Sequence, residues 1–170
     1  MLVFTDIITG DEIFSDSFPR KLIDDIVWEV DCQMIPVKDG ADTDIGANPS
    51  AEEAGEDVED GVRTVNNVVD SFRLNPTTFD RNTYLTHLKG YVQSVRRALE
   101  ELRAKPEEVA AFEKGAAAYT EKIVGNFEAY EFFLGESRNP DGMVGLLSYR
   151  EDGITPYLTF WKHGLKEQKL

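Results

Sequence analysis

The side chains best able to do chemistry in this sequence are scattered, and their spacing excludes more than it permits. Nucleophilic catalysis needs a thiol, hydroxyl or amine beside an oriented base. The chain offers one cysteine, Cys32, and two histidines, His87 and His163, with no G-x-S-x-G elbow. Both histidines read as packing or surface residues. No HExxH motif, phosphate-binding glycine loop or dinucleotide fingerprint is present. A single cysteine also rules out an internal disulfide and a paired-cysteine zinc site.

Carboxylates are the abundant groups. Asp42, Asp44 and Glu53 fall on positions one, three and twelve of a calcium-loop frame, but Gly46 and Ala47 stand where the frame needs an oxygen ligand and a turn glycine. Weak calcium association with clustered acids is the expectation, and a solvated charge run is the simpler reading. In "GESRNPDGMVGLLSYREDG", Asp141 belongs to an "NPDG" turn in which Gly142 is expected at positive φ. Glu151 and Asp152 belong to a second turn, "REDG". Glu136 is different, because turn chemistry does not require a carboxylate at the end of "FFLGE". From pattern alone it reads as an edge charge that discourages strand aggregation.

The elements that must position these groups can be read from periodicity. "LVFTDII", "DIVWEV" and "QMIPV" read as strands, and "NVVDSFRL" alternates Val68, Asp70, Phe72, Leu74 as a further strand that "NPTT" breaks. From Tyr84 to Leu102 the apolar residues Tyr84, Leu85, Leu88, Tyr91, Val92, Val95, Leu99 and Leu102 recur at helical spacing, with Asp80 or Thr78 as cap. Pro106 opens a second helix with the stripe Val109, Phe112, Ala116, Tyr119, Ile123, Phe127. The short connection makes residues 80–127 an antiparallel hairpin. "YEFFLGE", "MVGLLSYRE" and "TPYLTFWK" return to strands. The class is α+β, a mostly antiparallel sheet with one two-helix hairpin, and 170 residues with 41% hydrophobic content suit one domain.

Charge divides this chain. The formal net charge of −14 argues against nonspecific nucleic-acid binding, which requires cations to displace phosphate counterions. Nine carboxylates crowd Asp39 to Asp60, with no cation or aromatic residue among them, and residues 38–66 are expected to form a long acidic, mobile loop. Against this, the first helix carries Arg81, Lys89, Arg96, Arg97, Arg103 and Lys105, and Lys89, Arg96 and Arg103 repeat at heptad spacing. That ridge is either the wet side of an amphipathic helix or a docking face for an acidic protein tail. No apolar run approaches a membrane span, and the first residues lack a secretory pattern, so a cytoplasmic address is expected.

The stretches "IGANPSAEE" at 45–53, "YEFFLGESRNPDGMVGLLSYREDGITPY" and the opening "MLVFTDIITGDEIFSDSF" resemble the translationally controlled tumour protein family along essentially the whole chain. The resemblance implies a β-tent fold, similar to small chaperones of nucleotide-free Rab GTPases but without their cysteine zinc site. It implies a non-enzymatic, monomeric protein that requires no cofactor and binds calcium weakly. It also implies binding to tubulin and microtubules, association with a translation elongation factor or the ribosome, and support of growth. Under stress it implies mitochondrial association.

Two family positions linked to a small Ras-like GTPase fall on Glu12, in "DEIFSD", and on Glu136, in "FLGE". The family's microtubule-binding region corresponds to the hairpin, which makes Lys89, Arg96, Arg97 and Arg103 expected contacts for acidic tubulin tails. Two other readings are kept. One is a calcium-buffering or chaperone-like protein acting through its acidic loop. The other is a thiol reductase using Cys32, since β-tent folds also occur among methionine sulfoxide reductases.

Overall fold

A computed structural model describes residues 1–38 and 62–170. Its strands are β1 (Leu2–Asp6), β2 (Glu12–Ser15), β3 (Arg20–Ile23), β4 (Val27–Asp31), β5 (Met34–Lys38), β6 (Val62–Asn66), β7 (Asn75–Thr77), β8 (Glu131–Leu134), β9 (Gly145–Tyr149), β10 (Pro156–Trp161) and β11 (Leu165–Lys169). Helices α1 (Asn67–Phe72), α2 (Arg81–Glu101) and α3 (Pro106–Gly125) lie between β6 and β8. The strands form a six-stranded sheet in the order β3-β4-β10-β9-β8-β7, a three-stranded sheet β11-β1-β2 and the pair β5-β6. Every pairing is antiparallel.

The core sits between the two larger sheets and beneath the hairpin. Phe4 of β1 stacks on Phe14 of β2 at 4.4 Å between centroids, and Phe14 stacks on Phe160 of β10 at 5.3 Å, which joins the sheets. Removing such rings from water is the dominant favourable term. Tyr84, Leu88, Tyr91 and Val95 form the buried stripe of α2, and Val109, Phe112, Ala116, Tyr119 and Ile123 that of α3. Tyr84 meets Phe132 of β8, and Tyr119 meets Trp161 of β10, so the hairpin lies on the six-stranded sheet. Leu85 and Leu102 of the expected stripe are instead exposed. Asp80 caps α2 by accepting from the Thr83 amide at 2.8 Å, and the Thr83 hydroxyl in turn accepts from the Asp80 amide at 3.0 Å.

Several sequence expectations are corrected. "NVVDSFRL" is not a strand: the Asn66 carboxamide oxygen accepts from the Val68 and Val69 amides and starts α1. Val68 and Leu74 are buried as the alternation suggested, but from a helix and its exit. The expected loop 38–66 is also too long. Lys38 ends β5, and Val62–Asn66 is β6, paired with it residue for residue from Met34↔Asn66 to Lys38↔Val62. The remainder of that loop lies outside the described residues. "NPTT" contributes β7 rather than a break.

The helix expected to carry Arg103 and Lys105 ends at Glu101. Arg103 takes a left-handed φ of 63°, while its amide bonds Glu100 O and the Ala104 amide bonds Leu99 O. That is a Schellman stop with arginine where glycine is usual.

Candidate functional site

The turn between β1 and β2 is organised by two carboxylates. Buried Asp6 accepts from the Ile8 amide at 2.8 Å and the Thr9 hydroxyl at 3.2 Å, then reaches across to the Met143 amide at 2.8 Å. Asp11 accepts from the Ser137 hydroxyl at 2.6 Å and the Ser137 amide at 3.3 Å. Two loops more than 120 residues apart in sequence are thereby bolted together. Glycines permit the approach. A Cβ on Gly135 would collide with the Asp11 carboxylate, and one on Gly142 would lie 2.6 Å from Thr9 Cγ2 and 2.8 Å from Asp6 Oδ2.

The expected turn at "NPDG" forms, with the Gly142 amide bonded to Asn139 O at 3.1 Å. Its positive φ is misplaced in the sequence reading. Arg138 has φ 59°, whereas Gly142 is not left-handed and is required for the close contact instead. "REDG" behaves as expected: Gly153 has φ 72°, and Asp152 accepts from the Ile154 and Thr155 amides, which lower its pKa.

Glu12 and Glu136 each adjoin this bolt. Glu12 follows Asp11 as the exposed first residue of β2, and Glu136 sits exposed between Gly135 and Ser137. The structure therefore brings to one junction two acids that the sequence separates. Glu136 pairs with Arg73 at 3.2 Å, and both side chains are more than half exposed. Such a pair contributes about 0–1 kcal/mol, so Glu136 remains available to a partner. Asn75 donates to Gly135 O at 2.9 Å and accepts from Arg138 Nε at 3.1 Å, which places a second arginine beside this loop. His87 of α2 supports the turn at Pro140 among Phe79 and Tyr91, and burial lowers its pKa.

The cationic ridge is less open than its spacing suggested. Lys89, Arg96 and Arg97 are exposed on α2. Arg96 is held by Glu100 and by Glu113 of α3, each at 3.4 Å. Arg103 lies beyond the helix, so the heptad row stops after Arg96. Asp42, Asp44 and Glu53 lie outside the described residues. Among the described residues no group of three His, Cys, Asp or Glu side chains could hold a metal.

Cys32 is 3% exposed, donates to Val30 O at 3.4 Å, and burial raises its pKa to about 11. It lacks the accessible thiolate a reductase requires. His163 packs on Phe112 at 5.0 Å between centroids, and burial lowers its pKa as well.

One cluster escaped sequence reading. Arg150, directly after β9, reaches past β10 to bind Glu29 and Asp31 of β4 and lies 4.0 Å over the Tyr157 ring of β10. Burial works against the charge on Arg150, yet the two carboxylates outweigh it and raise its pKa. No local motif signals a clamp built from three strands.

The sequence profile described as translationally controlled tumour protein matches residues 1–166. The chain belongs to that family. It is 60% identical to the homologue from Yarrowia lipolytica over 170 residues and 53% identical to that from Schizosaccharomyces pombe over 169, covering at least 99% of each chain. The solved structure of the Schizosaccharomyces pombe family member superposes with a TM-score of 0.84 at 53% identity, covering 100% of both chains. The Caenorhabditis elegans translationally controlled tumour protein superposes at 0.69 and 29% identity, over 100% of this chain and 99% of that one. The α+β, mostly antiparallel architecture is the translationally controlled tumour protein fold. No described helix of this family member is long and apolar enough to cross a membrane.

Proposed function

We propose that this chain acts by recognition rather than catalysis, as a cytoplasmic regulatory binding protein. Glu12 and Glu136 meet a small Ras-like GTPase. The helical hairpin meets tubulin or microtubules, and translation partners such as an elongation factor or the ribosome complete the set. The observation that carries the reading is the junction itself, where two exposed acids flank a carboxylate bolt that fixes the loops presenting them. A carboxylate held rigidly at a nucleotide pocket can draw away the phosphate-binding lysine or disturb the bound magnesium, which lowers nucleotide affinity without covalent chemistry. Fixed loops lose little entropy when they dock.

The test is nucleotide release from the candidate GTPase with Glu12→Val and Glu136→Val, alone and together, with folding checked by circular dichroism. Release slows in each variant, and an unchanged off-rate in the double variant removes this role.

The nine carboxylates between Asp39 and Asp60 favour one further reading, weak calcium binding or a chaperone-like action through that segment, with Asp42, Asp44 and Glu53 as its calcium-frame positions. Deleting residues 39–60 separates the two. GTPase and tubulin binding survive if the folded body recognises partners, and calcium uptake is lost.

A further inference from the structure

β3 ends the six-stranded sheet, and among the described residues its only ladder partner is β4. Pro19 O accepts from the Asp31 amide at 2.9 Å, and the register pairs Lys21 with Glu29 and Ile23 with Val27. Hydrogen-bonded and non-bonded pairs alternate in an antiparallel ladder. The N–H and C=O groups of Arg20 and Leu22 therefore point away from β4, along the open edge.

Side chains of those two residues share one sheet face. Leu22 is 39% exposed. The Arg20 guanidinium lies over the Phe4 ring at 5.2 Å and the Trp28 ring at 5.0 Å, and its Nε is buried without a hydrogen-bond partner. Among the described residues Arg20 has no carboxylate partner. A depression of about 510 Å³ opens beside it, lined by Asp16, Ser17, Phe18, Pro19 and Trp28. Asp16 lines that depression without bonding Arg20. An arginine held flat by two rings loses little freedom when a carboxylate arrives, and its fork accepts one in bidentate geometry.

We propose that the β3 edge is a strand-addition site for an extended acidic segment of another protein. The segment lies antiparallel, with an aliphatic residue opposite Leu22 and, two residues later, a carboxylate opposite Arg20. Backbone bonds at Arg20 and Leu22 supply the pairing, and the two side chains read the aliphatic-x-acid order. The acid belongs at the Arg20 end because Asp24 and Asp25 close the other. A second copy of this chain fits poorly, since two β3 edges paired about their centres set Lys21 against Lys21.

An isotope-labelled full chain titrated with the capped peptide Thr-Ser-Val-Thr-Glu-Thr-Ser tests this by amide shifts. Shifts centre on Arg20 and Leu22, whose amides gain hydrogen-exchange protection. Replacing the peptide Glu by Lys weakens binding about tenfold, the loss of one charge-assisted contact. Arg20→Gln does the same for the Glu peptide. Leu22→Pro abolishes binding while the melting curve stays cooperative, because the lost N–H faces outward. No saturable shift at millimolar peptide, equal affinity for the Glu and Lys peptides, or binding retained by Leu22→Pro overturns the proposal. Shifts at Arg20 and Leu22 that grow with protein concentration alone overturn it in favour of self-pairing.

Discussion

The loop junction and the cationic ridge both present exposed charges, yet they hold them differently. At the junction Asp6 and Asp11 are consumed internally, and their bonds fix the backbone that displays Glu12 and Glu136. On α2 the charges rest on one helix face, and Arg96 is already shared between Glu100 and Glu113. Exposed charge and structural charge are thus divided among neighbouring residues at the junction, whereas on the ridge the exposed Arg96 is itself tied into ion pairs. Perturbing the junction should therefore cost stability, and perturbing the ridge should cost partner affinity.

The largest effect is expected from Asp6→Ala, which strands the buried Met143 amide, the half-buried Ile8 amide and the Thr9 hydroxyl and costs about 3 kcal/mol. It is read as a lowered urea midpoint at unchanged slope. Gly142→Ala comes next, at about 2 kcal/mol, because the new methyl must displace Thr9 and the Asp6 carboxylate. If its midpoint matches wild type, the two loops are not bolted as described.

Acidification gives a smaller loss through His87. Its folded pKa lies below the ordinary value of 6.5, so the unfolded chain binds more protons as pH falls. Stability contributed by the neutral ring is complete above about pH 6.5 and declines as pH falls through the lower folded value. His163 has the same sign. His87→Phe should therefore flatten part of the midpoint change between pH 7.5 and pH 5, and an undiminished slope counts against a supporting role for His87.

The smallest stability effect belongs to the ridge. Arg96→Glu with Arg103→Glu changes unfolding by about 0.5 kcal/mol or less, as exposed pairs do, while weakening microtubule co-sedimentation at low salt. Full pelleting by that variant would leave the ridge as a solvated helix face.

Local periodicity carried much of the architecture. Tyr84, Leu88, Tyr91 and Val95 gave away α2, and Pro106 marked the first residue of α3. Signals failed where the backbone departs from residue preference. The β3–β4 hairpin turns on Asp24 and Asp25 at φ 53° and 58°, positions at which Asn or Gly would have announced it. Val68 and Phe72, four residues apart, fit both periods over so short a run, and the Asn66 cap is what separates them. The candidate site was less legible still. Glu136 stood out as an acid that turn chemistry did not require, but only family resemblance singled out Glu12 or tied either to a partner, and the Asp11–Ser137 bond that gathers them spans a sequence separation no local pattern encodes.

Arg73, Arg103 and Arg138 all occupy left-handed backbone that glycine would adopt without strain. Each such residue costs about 1 kcal/mol, so the fold trades some firmness for cations at two helix exits and one loop. Glycine at all three would tighten the molecule while stripping the positive neighbours from Glu136, leaving a sturdier protein with a more repulsive face toward acidic surfaces.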